Sequence, residues 1–396
     1  MPLPDDLRDY TNLTHANAWR RHTGKPKNGP DEPAYVSSLL LGETFRGLRA
    51  TIRSYATPGT LTQVRGIFTH QTPKVKLATG GQSVEMGDLM FVHRHFSPHL
   101  RQATFGRALL LQAKRTLTPK TGSLASKTQP IQFRLYRDWP LFEGVTRIPQ
   151  APIGATAWDF HLSGVTPASP PQAGSAYMTI FPEQAYTIAA AVPQWMAPLQ
   201  AGVARSRLKS KGYPQDCTWA VGASPAHGTH PRAGVSCPTD FGTALTDFLS
   251  GKIGRPFVPG AMTATDHWSY FVNQMLLESG RANGNYRYTA TNQNVTSAPR
   301  GRNIGFMAWE NVLEHSIAND QEAWREGLGD GGSPPFEFSR SVLAIMDRLA
   351  RDRRAEGGPP DETPETVFVP SGGHVPLLLV TTIGNDCEPF NVGERG

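Results

Sequence analysis

The sequence predicts an α/β or α+β fold built on a central sheet, and three observations support this. Helical apolar spacing over residues 34–55 comes early. Strand-type runs follow at 63–77, 84–93 and 107–115. Helical character returns beyond about residue 183, so a sheet region precedes a mixed, more helical one.

The elements read in order as follows. Residues 1–33 are polar and rich in Pro, Gly and charge, and read as a loose arm. In 34–55 the apolar positions 36, 39, 40, 48 and 52 share one helical face, with Gly42 and Gly47 interrupting it. Residues 63–77 alternate apolar and polar, as half-buried strands do. The run ALLLQA within 107–115 is continuously apolar, as expected of a central strand covered on both faces. Residues 116–130 form a Thr/Ser/Lys/Pro loop, and 131–141 are apolar and aromatic up to Pro140. Strand-like pieces recur at 156–162 and 176–181. A helix over 240–250 is capped by Thr239 or Asp240, and one over 266–279 follows Thr265 and stops at Gly280. Residues 338–353 read as a basic amphipathic helix, 353–366 as a polar loop and 377–383 as a buried strand. The organisation expected is an N-terminal arm (1–30), a core (31–190) and an accessory C-terminal region (191–396).

Composition bounds the function. A chain of 396 residues holds two domains or one large elaborated one. Its 38% apolar share is enough to fold, and 39 glycines with 34 prolines imply many turns around short elements. The net charge of +6 favours a polyanionic partner. Cys217, Cys237 and Cys387 are too few, and odd in number, for a disulfide framework, which suits a reducing cytoplasm. No signal peptide is visible, and no apolar run is long enough to span a bilayer, so neither export nor a membrane partner is expected.

One constellation carries chemistry. Asp88 opens the strand GDLMFVH, and Gln112 and Lys114 bracket Ala113 at the end of LLLQAK. A spacing of two returns both side chains to one face of a strand. The separation of 24 from Asp88 to Gln112 suits a hairpin with a loop. A lysine ending an apolar strand needs a partner, and Asp88 is the natural one. Glu43 lies four residues after Leu39 and three after Leu40, so it shares their apolar face. Glu85, three before Asp88, would face the other side of a strand and is the weaker acidic candidate. The plainer alternatives are a turn residue at position 88, solvated polar ends at 112 and 114, and a helix-flank carboxylate at 43.

The pattern of helix-borne Glu43, then Gly-Asp88 on a strand, then apolar residues before Gln112-x-Lys114, resembles the PD-(D/E)xK nuclease superfamily. It is most similar to the Mrr-type branch, in which Gln replaces the last acidic residue. The resemblance covers roughly residues 34–137. It implies a restriction-endonuclease-like central mixed sheet flanked by helices, dependence on Mg²⁺ (or Mn²⁺), and cleavage of the DNA backbone. It further implies that Asp88, Gln112 through its side-chain oxygen, the Ala113 carbonyl and Glu43 ligate metal, with Lys114 orienting water. A role in bacterial defence against foreign DNA, beside other defence proteins, follows from the resemblance alone. It does not fix the oligomeric state.

Between Asp88 and Asp138 there is no acidic residue, while Arg94, Arg101, Arg107, Lys114, Arg115, Lys120, Lys127, Arg134 and Arg137 fall there. A phosphate-tracking groove beside the site needs such a stretch, and a solvated positive face is the plainer alternative. A second cluster, Arg205, Arg207, Lys209 and Lys211, is read chiefly as solvated. His93, His95 and His99 read as phosphate contacts or surface histidines. Cys217, His227, His230 and Cys237 form a zinc-like set without a C-x2-C knuckle, so buried free cysteines are the simpler reading. Tyr136 and Trp139 could stack on bases, but read more simply as core. The competing function is a non-catalytic nucleic-acid or partner-binding component that keeps the nuclease fold, or one active only within a larger complex.

Overall fold

The computed structural model of the chain describes residues 2–22, 29–40, 42–58, 60–69, 73–97, 102–119, 129–146, 148, 150–162, 174–188, 199–202, 204–223, 234–280, 285–287, 305–308, 366–368, 375–384 and 389–390. Three helices open the chain: α1 (Leu3–Arg21), α2 (Glu32–Leu40) and α3 (Gly42–Ser54). Five strands follow: β1 (Leu61–Thr69), β2 (Lys74–Leu77), β3 (Val84–Glu85), β4 (Leu89–Ser97) and β5 (Gln102–Arg115). Then come α4 (Gln129–Asp138), β6 (Phe142–Thr146), β7 (Ser175–Ile180), β8 (Tyr186–Ile188), β9 (Leu199–Ala201) and α5 (Arg205–Ser210). The remainder comprises β10 (Trp219–Val221), β11 (Thr239–Asp240), α6 (Phe241–Leu249), β12 (Arg255–Phe257), α7 (His267–Gly280), β13 (Asn285–Arg287), β14 (Gly305–Ala308), β15 (Thr366–Phe368) and β16 (Leu377–Ile383).

A central mixed sheet runs in the order β11-β10-β7-β5-β4-β16-β1-β14. The pairs β4/β16 and β5/β7 are parallel, while β4/β5 and β1/β16 are antiparallel. The second edge of β5 is shared between β7, along residues 110–115, and β12, along 106–108. Alternation along β5 divides the core into two layers. Leu109, Leu111 and Ala113 face a cluster that includes Leu39, Phe45, Leu48, Ile52, Phe241 and Phe248, from α2, α3 and α6. Ala108 and Leu110 face the other cluster, which holds Phe133 and Tyr136 of α4, Trp268 and Phe271 of α7, and Val75 and Phe142 of the small β3-β2-β6 sheet. Helices therefore flank the sheet on both faces. No helix among the described residues is long and apolar enough to cross a membrane.

Local chemistry sets the helix ends. Asp240 caps α6 by accepting the Thr243 N–H at 3.0 Å, and Asp266 caps α7 by accepting the Ser269 N–H at 2.9 Å. At Gly242 a Cβ would lie 2.3 Å from the Pro4 carbonyl oxygen, so only glycine lets α6 lie this close to α1.

Several sequence expectations are corrected here. The stretch expected to be a loose arm contains α1, whose Leu3, Leu7 and Ala18 are buried in the first layer. The single helix expected over 34–55 is two, α2 and α3. The aromatic segment 131–141 lies mostly in α4, and 156–162 contributes only a bridge from Trp158 to Phe142. A division at residue 190 does not separate two bodies, because β10, β11 and β16 belong to the same sheet as β4 and β5. The helix expected at 338–353 and nearly all of the 353–366 loop lie outside the described residues.

Candidate functional site

Position 88 lies directly across from position 112. The β4/β5 register pairs Leu89 with Leu111, and the Asp88 N–H donates to the Leu111 carbonyl at 2.9 Å. Gly87 allows this close entry, since a Cβ there would meet the Tyr136 hydroxyl at 3.0 Å. Asp88, Gln112 and Lys114 share the face covered by α4. Asp88 is 8% exposed, Gln112 is buried and Lys114 is half-buried.

Hydrogen bonds order the cluster. Asp88 Oδ2 accepts the Ala113 N–H at 2.8 Å and the Gln112 side-chain Nε2–H. Gln112 Oε1 accepts from Gln132 Nε2 at 2.5 Å. That same Gln132 nitrogen donates to the Glu85 carbonyl oxygen at 3.0 Å. One turn further along α4, the Tyr136 hydroxyl donates to the Met86 carbonyl oxygen at 2.8 Å. Tyr177 is the register partner of Gln112 on β7, and its buried hydroxyl has no hydrogen-bond partner among the described residues.

Burial pushes the Asp88 carboxyl up to about 7. The Lys114 ammonium works against this and the Glu85 charge with it; the Ala113 N–H lowers the value and the Glu32 charge raises it. The carboxylates that act electrostatically on Asp88 are therefore Glu85 and Glu32. The Glu32 side chain also accepts the Arg115 N–H at 3.1 Å. Position 43 is not brought to this cluster. It lies on α3, whose Phe45, Leu48 and Ile52 pack in the opposite layer, with Leu89, Leu111 and Ala113.

Among the described residues, Arg94 and Arg107 of the basic stretch are engaged away from Asp88. Arg94 lies six residues along β4, about 20 Å at strand rise, with its Nε donating to Thr381 Oγ1 at 3.1 Å. Arg107 Nη1 donates to the Gly254 carbonyl oxygen at 3.0 Å. Arg115 is half-buried, with its Nε fully enclosed. Arg101, Lys120 and Lys127 lie outside the described residues, as do His99, His227, His230 and Cys387. Of the second basic cluster, Arg207 pairs with Glu183 at 2.7 Å and Lys209 with Asp216 at 3.2 Å on the surface.

His93 and His95, expected at the surface, are buried. His93 Nε2 and His95 Nδ1 lie 3.0 and 2.8 Å from Thr382 Oγ1. Burial brings His93 down to about 3, so its ring is neutral. Cys217 and Cys237 are free, buried and in opposite core layers, so they share no tetrahedral site. Tyr136 and Trp139 are core residues.

A hard divalent cation takes oxygen ligands. As arranged, Asp88 offers one carboxylate, and its Oδ2 already accepts two N–H groups. Gln112 presents nitrogen to it. No group of three His, Cys, Asp or Glu side chains that could hold a metal occurs among the described residues. A half-turn of the Gln112 amide would bring Oε1 beside Asp88 and place two oxygens side by side. In that rotamer the two side chains would present oxygen donors of the kind a hard cation takes. Sequence reasoning missed Gln132, for which the available signal was a polar residue four before Tyr136, on the same helical face.

No family model matches the chain, and neither a curated protein nor a solved structure matches it.

Proposed function

We propose that the chain is a metal-dependent endonuclease acting on DNA phosphodiester bonds. One observation carries the reading: a buried carboxylate and an amide meet across two antiparallel strands, with a lysine two residues on along the same face. A bound Mg²⁺ or Mn²⁺ would polarise a phosphoryl oxygen and acidify a water molecule. Asp88 and Gln112 would supply oxygen ligands, with the Ala113 carbonyl as a third. The Lys114 ammonium would orient the attacking water and offset charge developing on the phosphate. The net charge of +6 suits a polyanionic substrate. By the resemblance, the setting is defence against foreign DNA.

A non-catalytic binding role is the second reading, favoured by the closed amide network around a single carboxylate. Plasmid DNA incubated with the purified chain separates the two. Nicking or linearisation with Mg²⁺ or Mn²⁺, abolished by chelator and by Asp88→Ala, is expected. DNA retardation without cleavage under every metal condition would leave the second reading standing.

A further inference from the structure

We infer that Gln132 is a positioning residue that holds the Gln112 amide in a metal-excluding orientation, so that the site loads a cation only when this contact is released. The inference rests on the nuclease reading above and names a control on that same site.

Hydrogen-bond polarity carries the argument. A backbone carbonyl only accepts. The Glu85 carbonyl oxygen therefore requires that Gln132 turn its NH₂ group toward it, and this fixes which end of the Gln132 amide is which. The same nitrogen has a second proton, directed at Gln112. Gln112 must then answer with its oxygen, which leaves its own NH₂ facing Asp88. Asp88, already accepting the Ala113 N–H, is the terminal acceptor of the chain. The series Glu85 carbonyl, Gln132, Gln112, Asp88 is self-consistent in one direction only. Turning Gln112 alone would set NH₂ against NH₂ at Gln132 and oxygen against oxygen at Asp88. A cation between the two oxygens relieves the second clash, and release of Gln132 relieves the first. Gln132 and Gln112 are both buried, so water does not readily substitute for either partner.

Mn²⁺ binding to the full chain, followed by calorimetry without DNA, tests the inference. Gln132→Met keeps the side chain's length and removes its N–H groups, so it should tighten Mn²⁺ binding roughly tenfold, the scale of one buried hydrogen bond. Gln132→Leu, which also lacks N–H groups and adds no charge, should tighten binding as well, and it serves if the Met variant does not fold. A carboxylate has no distinct nitrogen end, so in a Gln112→Glu background Gln132→Met should leave Mn²⁺ affinity unchanged. A merely structural glutamine would give the same effect in both backgrounds. Unchanged affinity in the Gln132 variants, with wild type and Gln112→Glu both binding, would overturn the lock and leave the nuclease reading intact. If folded wild type, Gln132→Met and Gln112→Glu all fail to bind Mn²⁺, both the nuclease reading and the lock fall.

Discussion

At the Asp88 end of the β4/β5 pair a carboxylate is buried among amides; toward the other end two imidazoles are buried around a hydroxyl. The far cluster is economical. Thr382 Oγ1 lies within hydrogen-bond distance of both His93 and His95, and the neutral His93 ring needs no counter-charge. The near cluster holds a group that burial keeps from ionising readily, beside a lysine that favours its charge. Both ends thus enclose polar groups, but only the Asp88 end sets a carboxyl beside an opposite charge. A shifted carboxyl held beside an opposite charge marks functional sites more often than a histidine neutralised by burial does.

The largest expected difference is catalytic. Lys114→Ala should lower metal-dependent plasmid cleavage by at least about a hundredfold, whereas Thr382→Val should leave cleavage per folded molecule unchanged. Equal losses in a nicking assay would erase the distinction between the two ends.

Next comes the pH dependence of stability, with opposite signs at the two ends. Asp88 sits at about 7 in the folded chain against an ordinary 3.8, so its contribution is full below pH 4 and is lost as pH rises through 7. His93 sits at about 3 against 6.5, so its contribution is full above pH 6.5 and is lost as pH falls toward 3. Between roughly pH 4 and 6.5 the two slopes oppose each other. In chelator, Asp88→Asn should gain stability over wild type as pH rises across that window, and His93→Gln should gain as pH falls. Each gain is at most about 1.4 kcal/mol per pH unit. Urea melts from pH 4 to 8 measure both, and variant curves parallel to wild type would count against the assignment.

Smaller effects are purely structural. Thr382→Val leaves two buried rings short of a partner and should destabilise by about 2 kcal/mol, while Tyr136→Phe, losing one bond to the Met86 carbonyl, should cost about 1 kcal/mol. A reversed ranking in denaturant melts would show the far cluster to be the looser one.

What the sequence reveals follows periodicity. β16, α6 and α7 are legible because their apolar spacing and end residues agree. α1 is not, because much of its buried surface is polar. Thr11, Asn12, Thr14, His15 and Asn17 are enclosed and hydrogen-bonded, His15 to the Phe181 carbonyl oxygen and Asn12 to Thr218, and this erases the apolar stripe. α4 is obscured by Pro130, which is tolerated because it falls in the first turn. At the site, Gln112 and Lys114 are legible from their spacing on one strand. Gln132 is not, since it comes to the site on a separate element, α4. The spacing of Glu43 from Leu39 and Leu40 misleads, because the chain breaks between them into α2 and α3, and one-dimensional spacing does not say which side of the sheet a helix covers.

The insertion of β16 between β1 and β4 has a consequence for how the chain matures. Until residues 377–383 arrive, the halves of the sheet carrying Val64 and Phe91 have no shared strand to pair with. Closure over so long a sequence separation is slow. During synthesis the half carrying β4 and β5 would wait with an open edge, so a chain cut short before Leu377 should be caught by chaperones or proteases rather than persist as a working fragment.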